Sequence, residues 1–403
     1  MPEVEPTETP DDGPMTILLF IDGLGSGGAQ RQFSYLARGL AARGHAVTVA
    51  VYNNQDHFAR EIEEAGVSIV RLLKPSRFSP RPIFAFAKLY RRCRADVAIA
   101  FLRSPAVKAE LARVLCPRMK VLAAERTAYT QLPLPLTLRL TQKLHSLAHF
   151  VTVNSKNQER AMKREFPALA KRIVTIRNGA DLPQKVSTAA GKPDRELRLV
   201  AVSSLMPYKN SLRLAEAVAS LRDEHNLRVT VSWVGETFES LGDSGTYRET
   251  CERIAALKLE DQWHWLGVRS DVSVILADHD ALIHPSLHEG TSNAVCEAMA
   301  IGLPVLAGRI ADHEEMIASA DAGILFDPAD ARSIAEAIAR FAATDRRRRC
   351  EMGSNGRRLI ETRYSFDRMV TQYEALARAA VRGRRDASRV LAIGDEGLRE
   401  CAA

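Results

Sequence analysis

The chain has 403 residues, 46% hydrophobic and 26% charged, with 23 Gly, 18 Pro and a formal net charge of +7. That length exceeds what one core usually organises, so two domains of roughly 200 residues each are expected. The composition is that of an ordinary soluble globular protein, and no apolar run approaches the ~20 residues of a membrane-spanning helix.

Six cysteines (Cys93, Cys116, Cys251, Cys296, Cys350 and Cys401) stand far apart without a C-x-x-C pair, so neither a disulfide framework nor a zinc site is expected. The charge is uneven: residues 1–190 hold 28 Lys+Arg against 16 Asp+Glu, net +12, whereas the remainder holds 28 against 33, net −5. A basic first half suits anionic lipid headgroups, a phosphate carried on a substrate, or simply a solvated arginine-rich surface. It shows no recognisable nucleic-acid-binding module and no interleaved aromatics, so nucleic acid is not expected as a partner.

The opening MPEVEPTETPDDGP is acidic and Pro-rich, the opposite of a secretory signal, and reads as a disordered tail over 1–14 in a cytoplasmic protein. From Met15 the pattern is a buried strand TILLFID, a glycine loop GLGSGG, an amphipathic helix to Gly44 and a strand HAVTVAVY. Further helix and strand pairs lead to VSIVRLL, DVAIAFL, KVLAAE, HFVTVNS and RIVTIRNG. Short apolar strands alternating with amphipathic helices predict an α/β fold with a doubly wound parallel sheet, a Rossmann-like domain over 15–182.

A polar stretch over 183–196 reads as a linker. The pattern then restarts with LRLVAVSSL, RVTVSWVG, WHWLG, ALIHPS and LPVLAG, giving a second Rossmann-like domain over 197–363. A helix over 364–380 and a flexible tail over 381–403 complete the expected organisation. Two such sheets are expected to face a cleft, with ligands at the carboxyl ends of their strands.

The stretch HPSLHEGTSNAVCEAMAIGLPVLAG, residues 284–308, carries the most chemistry. A strand ends in a loop holding Glu289 and Gly290; Thr291, Ser292 and Asn293 supply N-cap residues, and Gly302 with Pro304 supplies a helix stop. A helix N-terminus opening at the end of a parallel strand offers backbone N–H groups and a positive dipole end to a diphosphate. Glu289 and Glu297 are spaced so that one can accept from a sugar hydroxyl and the other from a ribose, though the same spacing also fits a loop charge and an ordinary helix residue.

The wording HEGTSNAVCEAMAIGLPVLA strongly resembles the Glu-x7-Glu signature of retaining GT-B glycosyltransferases of family four. Gly27 and Gly28, then Arg43, Gly44, His45 and Val47, fit the family's GG loop and RGH-x-V, and IRNGAD at Ile176–Asp181 fits its IPNGVD. SFDRMVTQYEAL looks like the family's returning C-terminal helix, so the likeness runs from about Thr16 to Tyr373.

This resemblance implies a retaining, metal-independent hexosyltransferase that needs no cofactor beyond its nucleotide diphosphate sugar. Its partners would be that donor and a glycan or lipid-linked acceptor in surface polysaccharide or glycolipid synthesis, with peripheral contact to an anionic inner membrane face. Glu289 and Lys209 would serve the chemistry, the lysine by neutralising the diphosphate. Gly27, Gly28, Ser204, Gly267, Val268, Arg269, Gly290, Thr291, Ser292, Asn293 and Glu297 would bind the donor. Glu125 and Arg126 would lie on the acceptor side, unless they form a surface ion pair.

One departure stands out: family members carry an arginine five residues before the lysine, where this chain has Ser204. Arg103, Arg126 or another cation would have to compensate, or the chain is a non-catalytic relative that binds sugar nucleotides poorly. GLGSGG also fits a dinucleotide fingerprint through Gly23, Gly25 and Gly28. Against an NAD(P)-dependent oxidoreductase, the second strand ends in Tyr52, Asn53 and Asn54 where a ribose-binding acid belongs.

Overall fold

The computed structural model describes residues 13–72, 76, 79–126, 136–183, 196–237 and 245–392. The expected tail over 1–14, the linker over 183–196 and the end of the expected tail over 381–403 lie largely outside them.

The first sheet is built in chain order from β1 (Thr16–Phe20), α1 (Gly28–Ala42), β2 (Ala46–Val51), α2 (Ala59–Glu64), β3 (Ser68–Arg71), α3 (Arg81–Arg92) and β4 (Val97–Phe101). It continues through α4 (Arg103–Leu115), β5 (Val121–Ala124), α5 (Leu136–Lys143), β6 (Phe150–Val153), α6 (Lys156–Glu165) and β7 (Ile173–Thr175). Its strand order is β3-β2-β1-β4-β5-β6-β7.

The second sheet follows from β8 (Leu197–Val202), α7 (Ser211–His225), β9 (Val229–Val234), α8 (Gly245–Ala256), β10 (Trp263–Gly267), α9 (Val272–Ala277) and β11 (Ala281–His284). It is completed by α10 (Asn293–Ala300), β12 (Val305–Gly308), β13 (Gly323–Phe326), α11 (Ala331–Ala342) and α12 (Arg346–Arg363), with α13 (Phe366–Val381) last. The order is β10-β9-β8-β11-β12-β13, and its strand pairs are parallel. Two doubly wound parallel sheets are therefore present, as the alternation of apolar strands and amphipathic helices requires.

Strand side chains alternate between faces, so each sheet needs helices on both sides. In β8, Leu199 packs with Leu214 and Val218 of α7 and Ile334, Ile338 and Phe341 of α11. Its neighbour Val200 packs with Val295 and Met299 of α10 and Ile360 of α12. Strand β13 escapes the sequence reading because it begins with Gly323, where a Cβ would lie 1.8 Å from Val305 O. Only glycine lets β12 and β13 approach so closely. Among the described residues no helix is long and apolar enough to cross a membrane.

The chain divides into two compact units. Among the described residues one takes 13–125, 136–152 and 373–392, and the other takes 126 and 153–372. This division places α6 and β7 with the second unit, whereas the sequence reading drew the first domain to 182. Asp312 explains the grouping: its carboxylate accepts from the backbone N–H groups of Lys156 (2.7 Å) and Asn157 (3.1 Å) at the start of α6. The expected tail also differs, since residues 387–392 are helical, with Ala387 and Leu391 buried.

Within the first unit the RGH motif has a structural meaning. Gly44 takes φ +84° and ends α1 in the left-handed conformation that a Cβ would strain. His45 Nδ1 accepts from the Met15 N–H at 3.0 Å, while its Nε2 lies 3.3 Å from Glu374 of α13, which Arg43 also engages at 2.9 Å.

A second polar cluster lies deeper. His145 Nδ1 is 2.6 Å from Glu110 and its Nε2 is 3.5 Å from Glu125, all three fully or almost fully buried. Glu125, expected on an acceptor-binding surface, is thus inside the unit. Burial alone would lower the His145 pKa, but the charge of Glu110 and hydrogen bonding to both carboxylates outweigh it and push it up to about 10. A histidine pKa raised on folding contributes stability that is whole below the unfolded value of 6.5 and is lost as pH rises through 10. Removing one partner of a buried charge cluster costs about 3–5 kcal/mol. His145→Gln is therefore predicted to lower the denaturant midpoint most near pH 6.5, with the gap from wild type narrowing toward pH 10. A gap constant across that range contradicts the assignment.

Candidate functional site

The site stands at the carboxyl ends of the second sheet's strands. β11 ends at His284, a loop carries Glu289 and Gly290, and α10 begins at Asn293. After β8 the chain runs through Ser204 to a 3-10 turn over Pro207–Lys209. The two loops are tied by backbone: Leu287 N–H donates to Tyr208 O at 2.8 Å. Asn210, in the left-handed region at φ +66°, donates through Nδ2 to Pro285 O at 3.0 Å and Pro328 O at 2.7 Å. These bonds hold Lys209 against the loop of Glu289.

Lys209 Nζ donates to Glu289 Oε1 at 2.5 Å, with side chains only 13% and 15% exposed. His284 Nε2 lies 3.2 Å from the same oxygen, off the alignment of a hydrogen bond. Burial by itself would raise the Glu289 pKa. The contact from His284 and the charge of Lys209 outweigh it and hold the carboxyl ionised, well below the usual carboxylate range. Behind His284 stands His313, fully buried, with ring centroids 5.8 Å apart at 67°. Its Nδ1–H donates to Gly308 O at 2.8 Å, and burial, helped by the neighbouring His284, pushes its pKa down to about 4.

The turn into α10 is held from the other side. Asn178, the asparagine of IRNGAD, donates through Nδ2 to Thr291 O at 3.0 Å and to Asn293 Oδ1 at 2.7 Å. Arg126 Nη1 donates to Asn178 Oδ1 at 2.6 Å, so its guanidinium stands behind that turn. Thr291 Oγ1 donates to Asn154 O, and a Cβ on Gly290 would lie 2.6 Å from Asn154 Oδ1, which is why glycine is needed there. Ser292 occupies the N-cap position, but its side chain caps nothing. The expected side-chain cap is absent because Thr291 and Asn293 are turned toward Asn154 and Asn178. The helix start, an anion-favouring feature, carries no side-chain cap.

Ser204 follows β8 and Gly267 ends β10, the two strands on either side of β9. Gly235 N–H donates to Gly267 O at 2.8 Å, and Trp233 Nε1 donates to Ser203 O at 2.9 Å. At Gly235, φ +147°, a Cβ would lie 2.1 Å from Ser203 O. Val268 is half exposed, and Arg269 is held in a bidentate pair with Asp271 at 2.8 and 2.7 Å. All three tryptophans of the chain, Trp233, Trp263 and Trp265, cluster on β9 and β10 below this loop. Glu297 lies one turn into α10 and is partly buried.

The second unit thus gathers Lys209, Glu289, Gly290, Thr291, Ser292 and Asn293 about one loop, with Ser204 after β8 and Gly267, Val268 and Arg269 at the end of β10, one strand further on. Gly27, the N-cap residue of α1, and Gly28 lie in the first unit, as do Arg103 and the buried Glu125. Sequence reasoning missed His284, His313 and Asn154 and gave Asn178 no role. HPS at the strand end was the available signal for His284, and His313 had none.

Two family models match the chain: Glycosyltransferase Family 4 over residues 26–184 and Glycosyl transferases group 1 over residues 184–359. The lipopolysaccharide glucosyltransferase WaaG of Escherichia coli is 24% identical over 373 residues, covering 83% of this chain and 91% of that protein. The N-acetylgalactosamine-N,N'-diacetylbacillosaminyl-diphospho-undecaprenol 4-alpha-N-acetylgalactosaminyltransferase of Campylobacter jejuni is 24% identical over 351 residues, covering 82% and 91%. Anabaena HepE in complex with UDP and glucose superposes with a TM-score of 0.77 at 20% identity, over 89% of this chain and 98% of HepE. A dinucleotide oxidoreductase is thereby set aside. With two matching models that together run from residue 26 to residue 359, the chain belongs to the GT-B glycosyltransferases of group 1 and family 4.

Proposed function

We propose that the chain transfers a hexosyl group from a nucleotide diphosphate sugar to a hydroxyl of a glycan or lipid-linked acceptor, with retention and without a metal, at the site built around Glu289 and Lys209. The observation that carries this reading is the buried Lys209–Glu289 pair beside the uncapped start of α10. A lysine and a carboxylate paired beside a helix start suit a diphosphate and its sugar. Lys209 and the helix N-terminus would take the charge that develops on the leaving diphosphate, and Glu289 would accept from a sugar hydroxyl. The donor phosphate would itself take the proton of the attacking hydroxyl. Glu297 would hold the ribose, and the backbone at Gly267 and Val268 the base. Arg103, Arg126 or another cation would have to supply the second charge that Ser204 lacks.

The relatives named above, one acting on lipopolysaccharide and one on a diphospho-undecaprenol acceptor, support a lipid-linked acceptor. The first unit supports contact with an anionic membrane. Between Glu64 and Asp96 the sequence holds no acidic residue, and α3 exposes Phe84, Arg81, Lys88, Arg91 and Arg92. The end of α4, against which Arg91 donates to Leu115 O, exposes Val114 and Leu115. Exposed apolar side chains among arginines suit an interface of anionic headgroups.

Ser204 favours a second reading, a relative that binds sugar nucleotides without turning them over. Tryptophan fluorescence and thermal shift against UDP-, GDP-, ADP- and dTDP-sugars, with and without EDTA, are predicted to show one EDTA-insensitive responder that the protein hydrolyses or transfers. Glu289→Ala should lose turnover by a factor on the order of 10² or more in protein whose fold is checked by circular dichroism. Binding without turnover would establish the second reading, and normal turnover in the variant would discard the role of Glu289. For the membrane contact, cosedimentation with phosphatidylglycerol vesicles should exceed that with phosphatidylcholine vesicles and fall with salt. The change of Arg91 and Arg92 to Glu should abolish the difference, and equal binding before and after that change would refute it.

A further inference from the structure

Resting on the reading just given, we infer that His284 is a positioning residue for Glu289: it anchors Oε1 so that Oε2 is the oxygen presented to the donor sugar. Oε1 already receives Lys209 Nζ at 2.5 Å and stands 3.2 Å from His284 Nε2, a buried ring nitrogen without an aligned hydrogen bond in this state but near enough to donate once the lysine leaves. Among the described residues no hydrogen bond reaches Oε2. The two oxygens of one carboxylate are thus unequal, one held by the protein and one left for a ligand.

His284 is built to hold its place. It is the last residue of β11, 2% exposed, and paired in register with Ala307 of β12. Its ring packs edge to face on His313, which is fixed in turn by the Nδ1–H bond to Gly308 O and leads into the π-helical turn Glu314–Ala318. His313 is neutral near pH 7, with its pKa at about 4, so it adds no charge that would compete for Glu289.

The need for such an anchor follows from the task proposed for Lys209. A lysine that turns toward a diphosphate must leave Glu289, and a carboxylate losing its only holder would be free to swing off the sugar. His284 remains on Oε1 through that exchange. Such an anchor also distinguishes glutamate from its amide. In Glu289→Gln the donors around Oε1 would fix the amide oxygen there and turn the NH2 group to the sugar, replacing an acceptor with a donor.

The test is kinetic and uses the full-length protein with the sugar nucleotide that the wild type turns over. His284→Phe keeps the ring and its packing on His313 but removes both nitrogens. It is expected to lower kcat roughly 10- to 100-fold with the donor KM nearly unchanged, the cost of a misplaced group rather than of lost binding. His284→Gln, which retains an N–H donor, should recover most of that loss. In a Glu289→Ala background His284→Phe should have no further effect. A kcat equal to wild type in His284→Phe, or a loss as large when Glu289 is already Ala, overturns the inference. Should the Phe variant fail to fold, His284→Met set against His284→Gln carries the same contrast. A wild type that turns over no sugar nucleotide brings down the proposed function and this inference with it, whereas an active wild type with an unaffected variant brings down the inference alone.

Discussion

The pairing of Lys209 with Glu289 is the constraint on which the rest of the site depends. A largely buried carboxylate and a largely buried ammonium are each costly without a counter-charge, so the loops that carry them must be held within hydrogen-bond reach. They come from positions 80 residues apart, one after β8 and one after β11, two strands that lie side by side in the sheet. Asn210 and the Tyr208–Leu287 backbone bond fix one loop on the other. Asn178 and Asn154 fix the turn beyond Glu289 from the opposite side. A parallel sheet supplies the geometry at no extra cost, because all its strands end on the same side.

The proposed function would give the same pair two states in chemical terms. Without a ligand the lysine satisfies the carboxylate; a diphosphate nearby would offer the lysine a stronger partner and release the carboxylate to a hydroxyl. Such an exchange keeps each charge compensated throughout, which matters more in a partly desolvated site than in water. His284 and His313 behind it are buried and packed edge to face, the part of the site that the proposal keeps in place.

Much of this was legible in the sequence, for physical reasons that differ from case to case. Short, mostly apolar strands of three to six residues alternating with amphipathic helices specify parallel sheets, and among the described residues twelve of the thirteen strands announce themselves that way. β13 does not, because its first residue is a glycine chosen for close approach rather than for burial. Glu289 and Lys209 were found through motif wording, since spacing alone would fit an ordinary loop charge. Glu125 was misplaced because a charged residue at a strand end reads as exposed, and nothing local reveals His145 waiting 20 positions later. Asn178, His284 and His313 act through contacts distant in sequence, so only the folded chain shows what each one holds.

The most direct test of the account is the structure of this protein with its sugar nucleotide bound, compared at the Glu289 carboxylate with the ligand-free state. The account predicts that Lys209 Nζ moves from Glu289 to the diphosphate, that Oε1 stays beside His284 Nε2, and that Oε2 accepts from a hydroxyl of the sugar. A nucleotide sugar bound elsewhere, or a diphosphate in place with Lys209 still on Glu289, would contradict it.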